Sequence, residues 1–315
     1  MTHDPASLRH TPDPSEIPYL KAAAKQGNVP AVLGWMGHAR SAGRLDDLGL
    51  MIDEIAKDFP EAALDAACAQ MPYVPDLRSL RAAWLIAAAW DARGGGLGKD
   101  VSRDGARTML QRIEAAKAEL ELGAQLDPAS PLPHALMIEA ANLHPQMGAP
   151  LARAAFQHAT ARHPTNLLAL RKMLRAVGKK WGGSHEEQAE VARWVASRAS
   201  PGSDALGGLF YAHVETWFYM RQFEKNPEGA KAYCTAPAVC AELDHALHAW
   251  LVAAYKPGPF SGRELHIAAF WYFVAQDVAR LRPLLALLGS SVEKYPWFLV
   301  GDPAATLAKA YELAK

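Results

Sequence analysis

Helix-breaking residues recur along this chain at nearly even intervals. Phe59-Pro60, Gly94-Gly95-Gly96, Asp127-Pro128, His163-Pro164 and Ser200-Pro201 stand 34, 34, 36 and 37 residues apart. Between them Ala, Leu, Arg, Lys and Glu dominate, all strong helix formers. No segment shows the period-two alternation of β-branched residues that a half-buried strand needs. A chain divided in this way folds as helical hairpins, and each hairpin has an apolar face that only a neighbour can cover. Its 315 residues lie at the upper limit for one compact core, so growth by stacking suits the length.

Residues 133 to 166 show how one hairpin closes. Ala140 falls in its first helix, and Ala152, Phe156, Ala159 and Pro164 fall in and after its second. This resembles the tetratricopeptide repeat (TPR), in which small residues let two helices approach and an aromatic ring fills the groove between them. The preceding hairpin matches only through Ala116, Leu120, Gly123 and Pro128. The following one keeps Ala189, Ala196 and Pro201 but places Arg193 where a large apolar residue belongs. The expectation is an all-α chain, a TPR-like α-α superhelix running as one degenerate solenoid. Met137 and Ala141 stand where two polar residues of a TPR carboxylate clamp would be, so that clamp is not expected.

Residues 1–17, with Pro5, Pro12 and Pro14 and no apolar period, read as a disordered or draped arm. An Ala-rich helical half over 18–180 is then followed by an aromatic-rich half over 181–315, continuous with it. The stretch Lys179 to Glu187 divides them. Its basic residues suit a helix C-terminus, its glycines a corner, and Ser184 with Glu187 a capping box for a helix running to about Ala199. Other helices are expected over Leu80–Arg93, apolar almost all round, and over Arg103–Leu126, with Met109, Leu110, Ile113, Ala116 and Leu120 on one face. Ser203-Asp204 is expected to open the next helix, Ser261 to cap a later one, and Asp302 with Pro303 to start the last.

Composition excludes several function classes. Lys plus Arg and Asp plus Glu number 33 each, and the pI is near 7.2, so the global charge of a nucleic-acid binder is missing. Cys68, Cys234 and Cys240 are too few and too odd in number for a disulfide framework and suit a reducing compartment. The N-terminus has no basic and apolar leader. The longest apolar runs, Ala82–Trp90 and Ala268–Ala275, fall short of the roughly 20 residues of a membrane span. The expectation is a cytoplasmic protein without nucleic-acid or membrane partners.

Chemistry-bearing constellations are sparse. Glu242 and His245 share one helical face at Glu-x-x-His spacing, but di-iron bundles need that motif twice, and one copy stands here. It is the weak metal candidate, and no cofactor is expected. Gly94 to Gly98 lacks the strand before it and the Gly-Lys-Ser/Thr after it that a phosphate-binding loop requires. Cys234 and Cys240 have no partners at zinc-site spacing. Arg171, Arg175 and Lys179 form a stripe at i, i+4, i+8, read either as helix-terminal cations or as a patch for an anion or acidic peptide.

Trp181-Gly182-Gly183-Ser184-x-Glu186-Glu187, Ser200-Pro201-Gly202-Ser203, Ala212-His213-x-Glu215-x-Trp217, Tyr295-Pro296-Trp297 and Gly301-Asp302-Pro303 occur in that order. Together they resemble a bacterial family of TPR-like helical proteins catalogued as a domain of unknown function, over residues 130 to 310. The resemblance implies an α-α superhelix and no particular activity. On physical grounds the glycines beside Trp181 allow close backbone approach. A concave pocket is therefore expected from Trp181, Ser184, His213, Glu215 and Trp217, with Tyr272 and Trp297. The alternative role for these residues is to lock the aromatic half together. The leading functional expectation is a non-enzymatic interaction protein that presents a helical groove to a protein or peptide. The alternatives are a helical enzyme or small-ligand binder using that pocket, and an immunity-type or regulatory protein.

Overall fold

The computed structural model describes residues 9–10, 16–95, 101–144 and 148–315, and sixteen α-helices account for most of them. Most of the expected N-terminal arm, and Gly96 to Gly98, lie outside the described residues. A helix already begins at Glu16, and Arg9–His10 pair in parallel with Ser291–Val292 as a two-residue bridge. The chain separates into two compact units, one over Pro14–Ala176 and the other over Val177–Lys315 with Met1–Asp13.

The first unit holds α1 (Glu16–Lys25), α2 (Val29–Ser41), α3 (Leu45–Ile55), α4 (Glu61–Gln70), α5 (Pro75–Arg93), α6 (Arg103–Leu126), α7 (Leu132–Leu143), α8 (Gly148–Arg162) and α9 (Leu167–Ala176). Helix α5 starts five residues before the expected Leu80, because Pro75 takes its first turn, where no amide donor is needed. It ends where Gly94 turns to a φ of 74°. Helix α6 has the expected bounds, with Ser102 Oγ accepting from Gly105 N–H at 3.0 Å. Gly105 also lets α6 begin against the end of α5, since a Cβ there would lie 2.5 Å from the Ala92 carbonyl. Ile113, Ala116, Leu120 and Gly123 form the buried stripe of α6, whereas Leu110, expected on that face, is exposed.

In the hairpin of α7 and α8, Ala140, Ala152 and Ala159 are buried to 1% exposure or less, with Phe156 beside them at 8%. These are the small-and-aromatic positions the sequence singled out. Methyl-sized side chains at the crossing let the two backbones approach closely.

The second unit holds a one-turn 3₁₀ segment Lys179–Trp181, then α10 (His185–Ala196), α11 (Gly207–Gln222), α12 (Pro227–Cys234), α13 (Pro237–Trp250), α14 (Gly262–Val274), α15 (Val278–Leu288) and α16 (Pro303–Leu313). Ser184 Oγ accepts from Glu187 N–H at 3.0 Å and Asp302 Oδ1 from Ala305 N–H at 2.9 Å, so both expected caps form. The helix after Ser184 stops at Ala196, short of Ala199. Helix α11 packs on α14, and Phe210, Trp250, Phe270, Trp271 and Trp297 are each exposed by 1% or less. Burying each such ring contributes about 1.5–3 kcal/mol.

Two sequence readings are corrected here. Ser203 caps only a 3₁₀ turn, Asp204–Leu206, by accepting from Ala205 N–H, and α11 begins after it. Ser261 makes no side-chain cap for α14. Its hydroxyl accepts from Gly258 N–H at 2.7 Å and donates to Asp204 Oδ2. Asp204 is the hub of that corner, because its Oδ1 also accepts from Trp250 Nε1 at 3.0 Å and from Tyr255 Oη at 2.7 Å. Removing an acceptor shared by buried donors leaves each of them desolvated and unpaired. Asp204→Ala should therefore destabilise this unit by about 3 kcal/mol, and Asp204→Asn, which keeps an acceptor oxygen, by clearly less. Denaturant unfolding followed by near-ultraviolet circular dichroism checks the order of the two variants.

Candidate functional site

Helix α11 carries three of the expected pocket residues and sends them to different places. His213 and Trp217 are four residues apart and share a face, whereas Glu215 points elsewhere. His213 is 4% exposed, with Nδ1 2.7 Å from Tyr233 Oη and Nε2 3.0 Å from Glu242 Oε2. Glu242 also receives a bidentate pair from Arg193, at 2.6 and 2.9 Å. The Arg193 hydrogen bonds, followed by the one from His213, hold the Glu242 carboxyl down at about 2. Arg193 thus holds Glu242 through both guanidinium contacts.

Glu215 is 5% exposed, accepts from Tyr295 Oη at 3.0 Å and pairs with Lys180 Nζ at 2.5 Å. Burial, then the charge of Glu215, pushes the Tyr295 hydroxyl well above its ordinary range. Trp217 packs edge-on to Phe270 at 5.6 Å, and Trp297 packs on the same ring at 5.5 Å. Tyr272 lies edge-on to Phe210 at 5.7 Å. Trp181 is half-buried in its 3₁₀ turn, and Ser184 caps α10. The fold unites Trp217 with Trp297 around Phe270. Ser184, His213, Glu215, Trp217, Tyr272 and Trp297 are each held by a contact inside the fold.

His266, which sequence reasoning missed, explains Trp297. Both side chains are fully buried, and Trp297 Nε1 donates to His266 Nδ1 at 2.9 Å. An indole nitrogen can only donate, so Nδ1 is the bare nitrogen and Nε2 carries the proton. Nε2 faces Ser291 Oγ at 3.3 Å, and that hydroxyl donates onward to the Leu288 carbonyl at 2.9 Å. Burial keeps this imidazole neutral and pushes its pKa down to about 3.

The basic candidates are drawn into pairs as well. Arg175 lies 3.4 Å from Glu139 and stacks 4.1 Å over Trp90, while Lys179 pairs with Glu224 at 2.9 Å and sits 4.5 Å over Tyr219. Arg171 is half-buried on α9. Lys172, which the stripe passed over, is the more deeply placed cation, between Asp53 at 2.5 Å and Glu139. His245 is exposed, and among the described residues no three metal-ligating side chains come together. Among them, too, no helix is long and apolar enough to cross a membrane.

An open groove lies beside Trp217. A groove of about 450 Å³ is bounded by α11, α12, α16 and the end of α14, and of the seven expected residues only Trp217 lines it. Trp217, Phe273, Val274 and Val300 supply apolar surface, and Arg221, Lys231 and Lys309 supply charge against one carboxylate, Glu228. The Arg221 guanidinium lies 5.4 Å from the Trp217 ring. Gln276, also in the lining, holds a φ of 60° without being glycine. Such backbone costs about 1 kcal/mol and clusters at functional sites. Trp217 and Arg221 at i, i+4 were legible as a pair, but nothing in the sequence tied Lys231 or Lys309 to them.

Comparison of the chain with models of protein families, with curated proteins and with solved structures finds no match.

The His266 geometry has a consequence for pH. Its folded pKa lies below the ordinary 6.5, so the unfolded chain binds the extra proton between those values. The contribution is complete above about pH 6.5 and is lost as pH falls toward 3, at no more than about 1.4 kcal/mol per pH unit. His266→Gln keeps an acceptor for Trp297 and a donor for Ser291 but does not titrate. The stability of the native protein relative to this variant should decline with acid across that window, measured by denaturant titrations at stepped pH.

Proposed function

We propose that this chain is a non-enzymatic interaction protein, a run of TPR-like helical hairpins that presents a groove to a segment of a protein or peptide. Its likeness to a bacterial TPR-like family, and a cytoplasmic setting, belong to the same proposal. The observation that carries it is the groove beside Trp217, an apolar trough about 450 Å³ in volume with polar and charged walls. That volume falls in the range of about 300–1,000 Å³ typical of ligand sites, and helical scaffolds use such troughs to receive side chains of a partner segment.

The chemistry elsewhere supports binding over catalysis. His213 has both ring nitrogens engaged and Glu215 both carboxylate oxygens, leaving neither aimed at a space where a substrate could sit. Burial raises the thiols of Cys68 to about 11 and Cys234 to about 12, which keeps them poor nucleophiles.

A displayed random-peptide library selected on the native protein tests this reading. Val300→Trp, at a half-buried position in the lining, fills the groove while leaving the buried core in place. Selected peptides should lose at least about tenfold in affinity for the variant, or 1.4 kcal/mol, with little change in melting temperature. An unenriched library, or peptides indifferent to Val300→Trp, would sink the proposal.

A further inference from the structure

Resting on the groove reading, we infer that its occupant is an acidic peptide segment, with one large apolar side chain seated between flanking carboxylates. The first ground is charge. Some cations of this chain are drawn into close pairs, such as Lys21 with Glu54 at 2.6 Å, Arg44 with Glu16 at 2.8 Å and Arg193 with Glu242 at 2.6 Å. Arg221, Lys231 and Lys309 are instead gathered in the lining of one groove. They come from three different helices, α11, α12 and α16, and face one space. Among the described residues none of them has a carboxylate partner, and Glu228 is the one acid in the lining.

Three like charges around one trough make its rim locally positive. An occupant bearing carboxylates complements that charge and can make charge-assisted contacts with all three. A chain with no net charge has no global field to steer an acidic partner, so the selectivity has to come from this local patch.

The second ground is the floor. Trp217, Phe273, Val274 and Val300 offer an apolar surface that carboxylates alone would leave unpaired. Trp217 is nearly buried, but Phe273, Val274 and Val300 are each half-open to the groove. The volume admits one large side chain with its neighbouring backbone and is too small for a folded element. Alternation of an apolar anchor with carboxylates meets both requirements at once, and neither a polyanion without an anchor nor a neutral apolar segment does.

Isothermal titration calorimetry on the full chain separates these possibilities. The probes are a short capped peptide with one phenylalanine among Asp and Glu residues, its isosteric Asn and Gln counterpart, its Lys and Arg counterpart, and a thymidine oligonucleotide. The acidic peptide should bind at least about tenfold more tightly than the neutral one, and the basic peptide and the oligonucleotide should not bind measurably. Raising the ionic strength from about 0.05 to 0.3 M should weaken the acidic peptide several-fold, as screening of exposed charges requires. The double variant Lys231→Glu with Lys309→Glu alters two exposed side chains and should abolish acidic binding with unchanged circular dichroism.

Equal binding of the neutral peptide, or indifference to the double variant, overturns the acidic assignment while leaving a peptide groove standing. Binding of the oligonucleotide as tightly as the acidic peptide overturns it in favour of a phosphate-bearing strand. Loss of binding for every peptide tried, together with an unenriched library, overturns the groove reading itself.

Discussion

In the second unit the polar edges of four aromatic side chains find partners inside the fold. Trp250 donates to Asp204, Trp297 to His266 and Tyr295 to Glu215, while Tyr233 shares a hydrogen bond with His213. An indole or phenol left unpaired in a dry interior costs about 1–3 kcal/mol, comparable to what burying its ring contributes. A core built from tryptophan and tyrosine therefore needs histidines and carboxylates inside it. These acceptors are held in turn, Glu242 by Arg193, Glu215 by Lys180 and Asp204 by Ser261. The first unit follows the same rule at Trp90, which donates to Glu139 at 2.7 Å, and at Trp84, which donates to the Phe59 carbonyl at 2.9 Å.

This constraint sorts the polar residues by role. A buried polar group engaged on every side is part of the core, however much its residue type suggests chemistry. His213 and Glu215 belong to that group. The groups left over are the informative ones, and in the second unit they include the cations Arg221, Lys231 and Lys309, which line one incompletely covered apolar trough. The functional reading rests on residues that the aromatic core does not use.

What was legible in the sequence follows from the range of the forces involved. Ser184 and Asp302 could be read as caps because a cap is satisfied by an amide two or three residues away. The alanines and Phe156 of the hairpin of α7 and α8 were legible because two helices joined by a short loop must meet face to face. Ser261 misled because the same hydroxyl had a stronger partner in Asp204, which lies 57 residues away. Trp181, Ser184, His213, Glu215 and Trp217 read as one site because the glycine corner beside Trp181 leads into the hairpin that carries His213, Glu215 and Trp217. Neighbours on a helix diverge by about 100° per residue, so closeness along α11 separates side chains as often as it gathers them.

The sequence by itself determined that this chain is helical, where many of its helices start and stop, and which small residues let neighbouring helices touch. These are matters of local hydrogen bonding and of periodicity, settled within a few turns. Only the tertiary structure decided which polar residues answer the buried indoles and phenols, and that the groove is walled by cations from α11, α12 and α16. Those pairings join residues from Trp217 to Lys309. No local rule encodes them, because the chain must first fold before such charges face one space.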